Sequence, residues 1–330
     1  MELSPDDQAL AHSTSAVLRQ DAQGYVGTWS DTNGGGPIQL RELSSESGLQ
    51  VIKRCKSWAS FKKWVETVRH EHQIAAYRGH GSNQFRLETT LSRIGRSNVL
   101  RYWSDVIPMF RNHAETVLGQ AFDMTQALDI SKLLGLAQHH GLPTPLLDWT
   151  NSPYVAAYFA LSDAIENRSG RPKVRYARVY GLSQSFFNNH SPGIVTLPSL
   201  IPYAYSLEVS AMGNPRLHAQ QGRFIVTNVG NVEAFICNIQ AALGITYLVA
   251  ADIPIAEAEV ALDDLRLMGI TAASMFPGLD GLCRMIKQQM SFRAIVTPLP
   301  GKPSPLASGA SPQTDASSNG PTGTAMSDKD

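Results

Sequence analysis

Apolar positions recur at helical spacing from Trp58 onward. Trp58, Phe61, Trp64, Val65 and Val68 share one helical face behind Ser57, a residue suited to cap the first turn, so a helix is predicted there. Ile74 to Tyr77 reads as a short strand running into Arg78-Gly79. Thr125 to His140 reads as a helix with Leu128 and Leu134 on its apolar side and Gly141 placed to end it. Leu146 to Thr150 reads as a brief buried strand. Ser152-Pro153 then has the form of a cap and first residue of a helix that carries Val155, Ala156, Phe159 and Ala160 inward. Further strands are predicted at Val174–Tyr180, Arg223–Asn228 and Ile245–Ala251, with helices at Glu257–Met268 and from about Leu279 to Gln289. Strands and helices mix without a regular βαβ repeat. The expected fold class is α+β, a mixed and mainly antiparallel sheet with flanking helices.

The two ends differ from this body. Residues 25–42, YVGTWSDTNGGGPIQLRE, form two strand-like runs around a Gly-rich turn and suggest a hairpin. Residues 300–330 hold five Pro, four Gly, six Ser and no aromatic residue, too little apolar surface to offset ordering entropy. The expected organisation is an N-terminal extension over 1–50, a folded domain over 51–298 and a disordered tail over 299–330.

Composition narrows the setting. Hydrophobic residues make up 43% of the 330, which excludes global disorder. Apolar runs are far shorter than the roughly 20 residues a bilayer needs, so no membrane partner is expected. The start, MELSPDDQAL, has acids and no apolar core, so no signal peptide is expected. Cys55, Cys237 and Cys283 are far apart and form no CxxC, which argues against disulfide or Cys-rich zinc scaffolds. The expectation is a soluble, cytoplasmic protein. Net charge is zero, yet residues 51–111 carry twelve Lys/Arg against four Asp/Glu, while 252–264 carry five acids and no base. The basic stretch suits a phosphate-bearing ligand, or is simply a solvated face.

Three stretches carry candidate chemistry. In Tyr77-Arg78-Gly79-His80-Gly81-Ser82, glycine permits close backbone approach and arginine offers a planar fork for phosphate or carboxylate. The stretch Gln138 to Pro153 packs polar groups between a helix end and a helix start. Its His139, His140 and Asp148 have ligand chemistry, but adjacent histidines at a helix end diverge, so no metal is assigned and an Asp–His hydrogen bond or a buried polar clamp is expected. In Asn214 to Phe224, Gln220 precedes Gly222 and a strand and can present its amide into a cleft. No GxSxG or HExxH is present, and Cys55 in a basic run has no assigned partner.

In this order the three stretches resemble the FRG domain, a family named for a Phe/Tyr-Arg-Gly motif that here is Tyr77-Arg78-Gly79. Gln138 to Thr150 is similar to the family's Gln-His-aromatic-Gly-Leu-Pro-Thr-Arg-Leu-Leu-Asp-Trp-Thr run, and Ser152 to Ala160 to the helix after it. Arg216, Gln220, Gly222 and Phe224 fit a later signal, and Gly269-Ile270, Phe276-Pro277 and Leu279-Asp280-Gly281 a closing one. The resemblance covers roughly 57–290. Pro145 stands where the family has arginine and His140 where it has an aromatic residue. The resemblance implies a bacterial or phage setting that includes phage defence.

The order of motifs is more distantly similar to that of ADP-ribosyltransferases, which implies an ADP-ribosyltransferase-like fold with NAD as substrate. On that mapping Arg78 grips the pyrophosphate, Thr150 and Ser152 support the nicotinamide ribose, and Gln220 takes the place of the usual ribose-binding Glu. His139 and Asp148 complete the implied catalytic set. Tyr77, Gly79, His80, Gln138, His140, Thr144, Trp149 and Arg216 join Thr150 and Ser152 as implied ligand-binding residues. Glutamine can hold a ribose hydroxyl but lacks the negative charge that favours an oxocarbenium-like transition state. The expected function is therefore a nucleotide- or NAD-type pocket serving ADP-ribosyl transfer or NAD glycohydrolysis, with a protein or nucleic-acid target. The alternative is a non-catalytic module binding a nucleotide or a nucleic acid, the latter through Trp58, Phe61, Trp64, Tyr77, Phe85, Tyr102 and Trp103.

Overall fold

A computed structural model describes residues 15–22, 24–31, 34–41, 46–49, 53–94, 99–190, 201–207 and 219–296. The predicted tail and Arg216 lie outside the described residues. The chain divides into two compact units, 1–286 and 287–330. Of the second, only residues 287–296, the end of the last helix, are described.

The fold is α+β. Its strands are β1 (Ser15–Asp21), β2 (Gly24–Asp31), β3 (Gly34–Arg41), β4 (Lys53–Arg54), β5 (Ile74–His80), β6 (Leu146–Thr150), β7 (Tyr176–Ser183), β8 (Ala204–Leu207), β9 (Gly222–Thr227) and β10 (Leu248–Pro254). The helices of six residues or more are α1 (Trp58–Glu71), α2 (Ile107–Leu118), α3 (Ala127–His139), α4 (Pro153–Glu166), α5 (Gln184–Asn189), α6 (Val232–Leu243), α7 (Ala258–Leu267) and α8 (Leu279–Val296). Strands β1 to β3 form a separate antiparallel sheet, in which the 25–42 hairpin is joined by a first strand the sequence reading missed. The main sheet runs β4-β10-β7-β5-β6-β9-β8, antiparallel except for the β4–β10 pair.

Local sequence sets the main helices. Ser57 and Ser60 complete a capping box at α1, whose Trp58, Phe61, Trp64, Val65 and Val68 are all buried. Ser152 caps α4 by accepting from the Val155 N–H, with Pro153 in the first turn. In α3 the buried face is Ile130, Leu133, Leu134 and Ala137, while Leu128 is 48% exposed and lies on the opposite side of the helix. Gly141 follows that helix at φ +83, a left-handed conformation that favours glycine.

One cluster fills the space between the sheet and α6 and includes Ala76, Trp149, Tyr180 and Ile236. Another joins α3 to β8 and β9 and includes Leu133, Leu134, Leu146, Phe224 and Val226. Beneath them lies a buried polar network. Arg178 Nε donates to Asp252 Oδ1 at 2.7 Å, with side-chain exposures of 3% and 0%. Arg178 Nη1 also donates to Ser47 Oγ, which donates to Glu233; Glu233 accepts from the Leu49 N–H and the Tyr180 hydroxyl as well. Residues 47–49 of the N-terminal extension are thereby tied to the body.

The feature that positions the site is a discontinuity in the main sheet. β5 pairs with β7 along its length and β6 pairs with β9 along its length, yet β5 and β6 meet only through Tyr77 and Thr150. Beyond that pair the strands part.

Candidate active-site cleft

An open cavity of about 790 Å³ occupies the place where β5 and β6 separate. On β5, side-chain alternation sends Arg78 and His80 to one face and Gly79 to the other. Gly79 lies against α4 so closely that a Cβ would stand 1.9 Å from the Ala156 carbonyl oxygen. Gly81 abuts Asp163 of the same helix. The glycines of the first stretch thus let α4 press against the strand beside Arg78.

Arg78 bridges the gap. Its Nη1 donates to the Asp148 carbonyl at 2.5 Å, across the point where the backbone ladder stops, and its Nε donates to His80 Nε2 at 3.1 Å. His80 Nδ1 lies 3.3 Å from the Phe85 carbonyl and donates to it in the tautomer this arrangement requires. Burial, reinforced by the Arg78 charge, pushes the His80 imidazole down to about 3, so the ring is neutral at ordinary pH. Burial also pulls the Arg78 guanidinium down, an effect countered by Asp148 and strengthened by Arg93.

The second stretch braces itself. Thr144, fully buried, donates its hydroxyl to Gln138 Oε1 at 2.5 Å, and the Gln138 amide donates to the Asp148 carboxylate. Asp148 is the exposed member of an otherwise buried strand, so its carboxylate faces the cleft. Gln220 reaches the same cavity, with its amide donating to the Met275 carbonyl at 3.1 Å. The following Gln221 has φ 50, and its carbonyl accepts from the Asn151 N–H, fixing this loop beside the end of β6.

The cavity is lined by Tyr77, Arg78, Gly79, His80, Gln138, His139, Asp148, Trp149, Thr150 and Gln220. His140, Thr144 and Ser152 are not among the lining residues. His140 is the exposed C-cap of α3, Thr144 acts through Gln138, and Ser152 is occupied capping α4. Pro145 is buried and also absent from the lining. Tyr77 is 1% exposed; its hydroxyl has no partner and burial pushes it up to about 12. Burial likewise raises the Cys55 thiol. Among the described residues no cluster of three His, Cys, Asp or Glu is placed to hold a metal.

Other lining residues escaped the sequence reading. Arg171 lies over the Phe85 ring at 4.7 Å and Arg284 over the Phe276 ring at 4.9 Å. Asp163 and Glu166 of α4 hold these arginines at 2.6 and 2.7 Å. Phe159, expected in the core, meets Phe276 edge-on at the wall. Conversely, Trp58, Phe61, Trp64, Tyr77 and Tyr102 are all buried, so the rings proposed for base stacking belong mostly to the core.

Residues 73–169 match the family model of the FRG domain. The chain carries an FRG domain. The match spans β5, β6 and α4, and hence Arg78 and Asp148 on either side of the gap. Gln220, Phe276 and Arg284 come from outside the matched FRG residues. No curated protein and no solved structure matches the chain. No helix among the described residues is long and apolar enough to cross a membrane.

Proposed function

We propose that the FRG-domain cleft binds a phosphate-bearing nucleotide of the NAD type. The observation that carries this reading is the convergence of three distant segments, 78–80, 138–150 and Gln220, on one open cavity with five arginines against three carboxylates. The arginines are Arg78, Arg86, Arg93, Arg171 and Arg284, and the carboxylates are Glu88, Asp148 and Asp163. A volume of about 790 Å³ falls within the range of roughly 300–1,000 Å³ common for small-molecule sites. Phe159 and Phe276 offer apolar surface for a base or nicotinamide ring, and the unneutralised arginines offer the seat for phosphate.

A second reading, glycosidic cleavage, is favoured by the Asp148 carboxylate in the same cavity. Cleavage of NAD breaks the bond from ribose C1′ to nicotinamide, which leaves as the neutral base. Water, or a target nucleophile, adds to C1′ and releases a proton. The developing positive charge is what a carboxylate stabilises and an amide does not, so Asp148 supplies what Gln220 lacks. Gln220 then holds a ribose hydroxyl, and His139, exposed and lining the same cavity, accepts the released proton. The phage-defence setting rests on family context and adds no residue to the site.

Calorimetric titration with ADP-ribose, together with chromatography of nicotinamide released from NAD, tests both readings. Binding with release, both lost in Arg78→Ala, supports the enzyme. Binding without release supports the nucleotide-binding module. Neither binding nor release refutes the nucleotide reading.

A further inference from the structure

The charge inside the cleft is unevenly compensated, and this deepens the nucleotide reading on which it rests. Three of the five arginines have a carboxylate of their own: Arg86 has Glu88 at 2.7 Å, Arg171 has Asp163 at 2.6 Å and Arg284 has Glu166 at 2.7 Å. Arg78 and Arg93 remain. Arg93 ends the short helix Thr90–Arg93, lines the same cavity and has no hydrogen-bond or ion-pair partner among the described residues. It lies near enough for its charge to lower the proton affinity of both Arg78 and His80. Asp148 offsets part of the Arg78 charge; the two guanidiniums still repel each other across the void, and an anion seated between them relieves that repulsion.

Arg78 is also aimed. Its Nε–H is taken by His80 and one Nη1 hydrogen by the Asp148 carbonyl. Its Nη2 edge is left for a ligand. His80 can accept that bond only while neutral, with its own N–H directed at Phe85.

We propose that Arg78 and Arg93 form a two-guanidinium clamp for a doubly charged phosphate group, with His80 as a positioning residue that aims Arg78 without touching the ligand. Arg93 is thus a ligand-binding residue for which no sequence motif spoke. The chemistry selected is a diphosphate, free or within a dinucleotide, in preference to a singly charged phosphate.

Titration calorimetry with inorganic pyrophosphate and with ADP-ribose, whose diphosphate does not titrate near neutral pH, tests this on wild type, Arg93→Gln, His80→Phe and His80→Asn. Arg93→Gln, an unpaired exposed side chain, is expected to fold and to weaken both probes by about 10- to 100-fold, the usual worth of one charge-assisted hydrogen bond. His80→Phe is expected to weaken them similarly. His80→Asn restores most of the affinity, because its amide oxygen can accept from Arg78. If His80→Phe does not fold, the Asn variant and the pH profile decide the positioning role. Affinity of wild type and of His80→Asn for ADP-ribose is expected to change in parallel between about pH 5 and 8, where the exposed His139 of the same cavity titrates in both; a rise on acidification in wild type that His80→Asn lacks would mean a protonated His80 touches the ligand and would overturn that role. Unchanged affinity in Arg93→Gln overturns the clamp and leaves the nucleotide reading standing. Pyrophosphate binding without ADP-ribose binding keeps the clamp and removes the nucleotide. Failure of wild type to bind either probe overturns both.

Discussion

Replacing Gly79 by alanine tests the packing that creates the cleft wall. The new Cβ would lie 1.9 Å from the Ala156 carbonyl oxygen and 2.9 Å from the Ala160 nitrogen. Ordinary contact is about 3.5 Å, so strand and helix must separate by roughly 1.5 Å. The obstructing atoms are backbone of α4, which buries Val155, Ala156, Ala157, Ala160 and Leu161 and cannot yield by a rotamer change. Overpacking costs about 1–3 kcal/mol, and a backbone obstacle puts this case near 3 kcal/mol. For a domain of this size that lowers the melting temperature by about 6–12 °C. Calorimetric melting of Gly79→Ala beside Gly170→Ala, which has open space around it, is the assay. The control is expected to stay within about 0.5 kcal/mol of wild type. A Gly79→Ala protein melting within about a degree of wild type, given that scale, would refute the claim that the helix bears directly on the strand.

Other expectations follow from buried polar groups. Asp252→Asn strands the Arg178 charge in a site with 3% side-chain exposure and should cost about 3–5 kcal/mol in urea unfolding; a loss below about 1 kcal/mol would show that the network does not need the ion pair. Tyr77→Phe removes a buried hydroxyl that has no partner, so stability should hold or rise slightly, and a clear loss would reveal a bond that is absent from this structure. His80 has its folded-state value lowered to about 3 from an ordinary value near about 6.5. The unfolded chain therefore takes up a proton that the folded one refuses, and the His80 contribution to stability falls as pH drops through that window and is constant above it. Urea midpoints of wild type and His80→Asn should diverge on acidification, and parallel pH profiles would contradict the reasoning.

What the sequence made legible was local. Serine caps, helical spacing and glycine stops located α1, α3, α4 and α7 because these signals act within one or two turns. Helix α6 carried comparable signals, Asn231 accepting from the Ala234 N–H and Gly244 at φ +66, and the sequence reading missed it all the same. At the site, the motif residues reached the cavity where the backbone carries them directly, as with Arg78, Asp148 and Gln220. Motif spacing could not separate ligand-facing from supporting roles: Thr144 and Ser152 have the same hydroxyl chemistry as Thr150 but spend it on Gln138 and on a helix end. Arg93, Arg171 and Arg284 were invisible because their meaning lies in which carboxylates they do or do not meet, a property of tertiary placement.

The lone Tyr77–Thr150 bridge gives the main sheet a spine one residue pair wide. Each leaf of the sheet has a ladder of its own, β5 stitched to β7 and β6 to β9, and the two share the core beneath them. Past that spine a single guanidinium reaches across to a carbonyl, and a guest that competes for that guanidinium acts at this crossing while the backbone ladders stay whole.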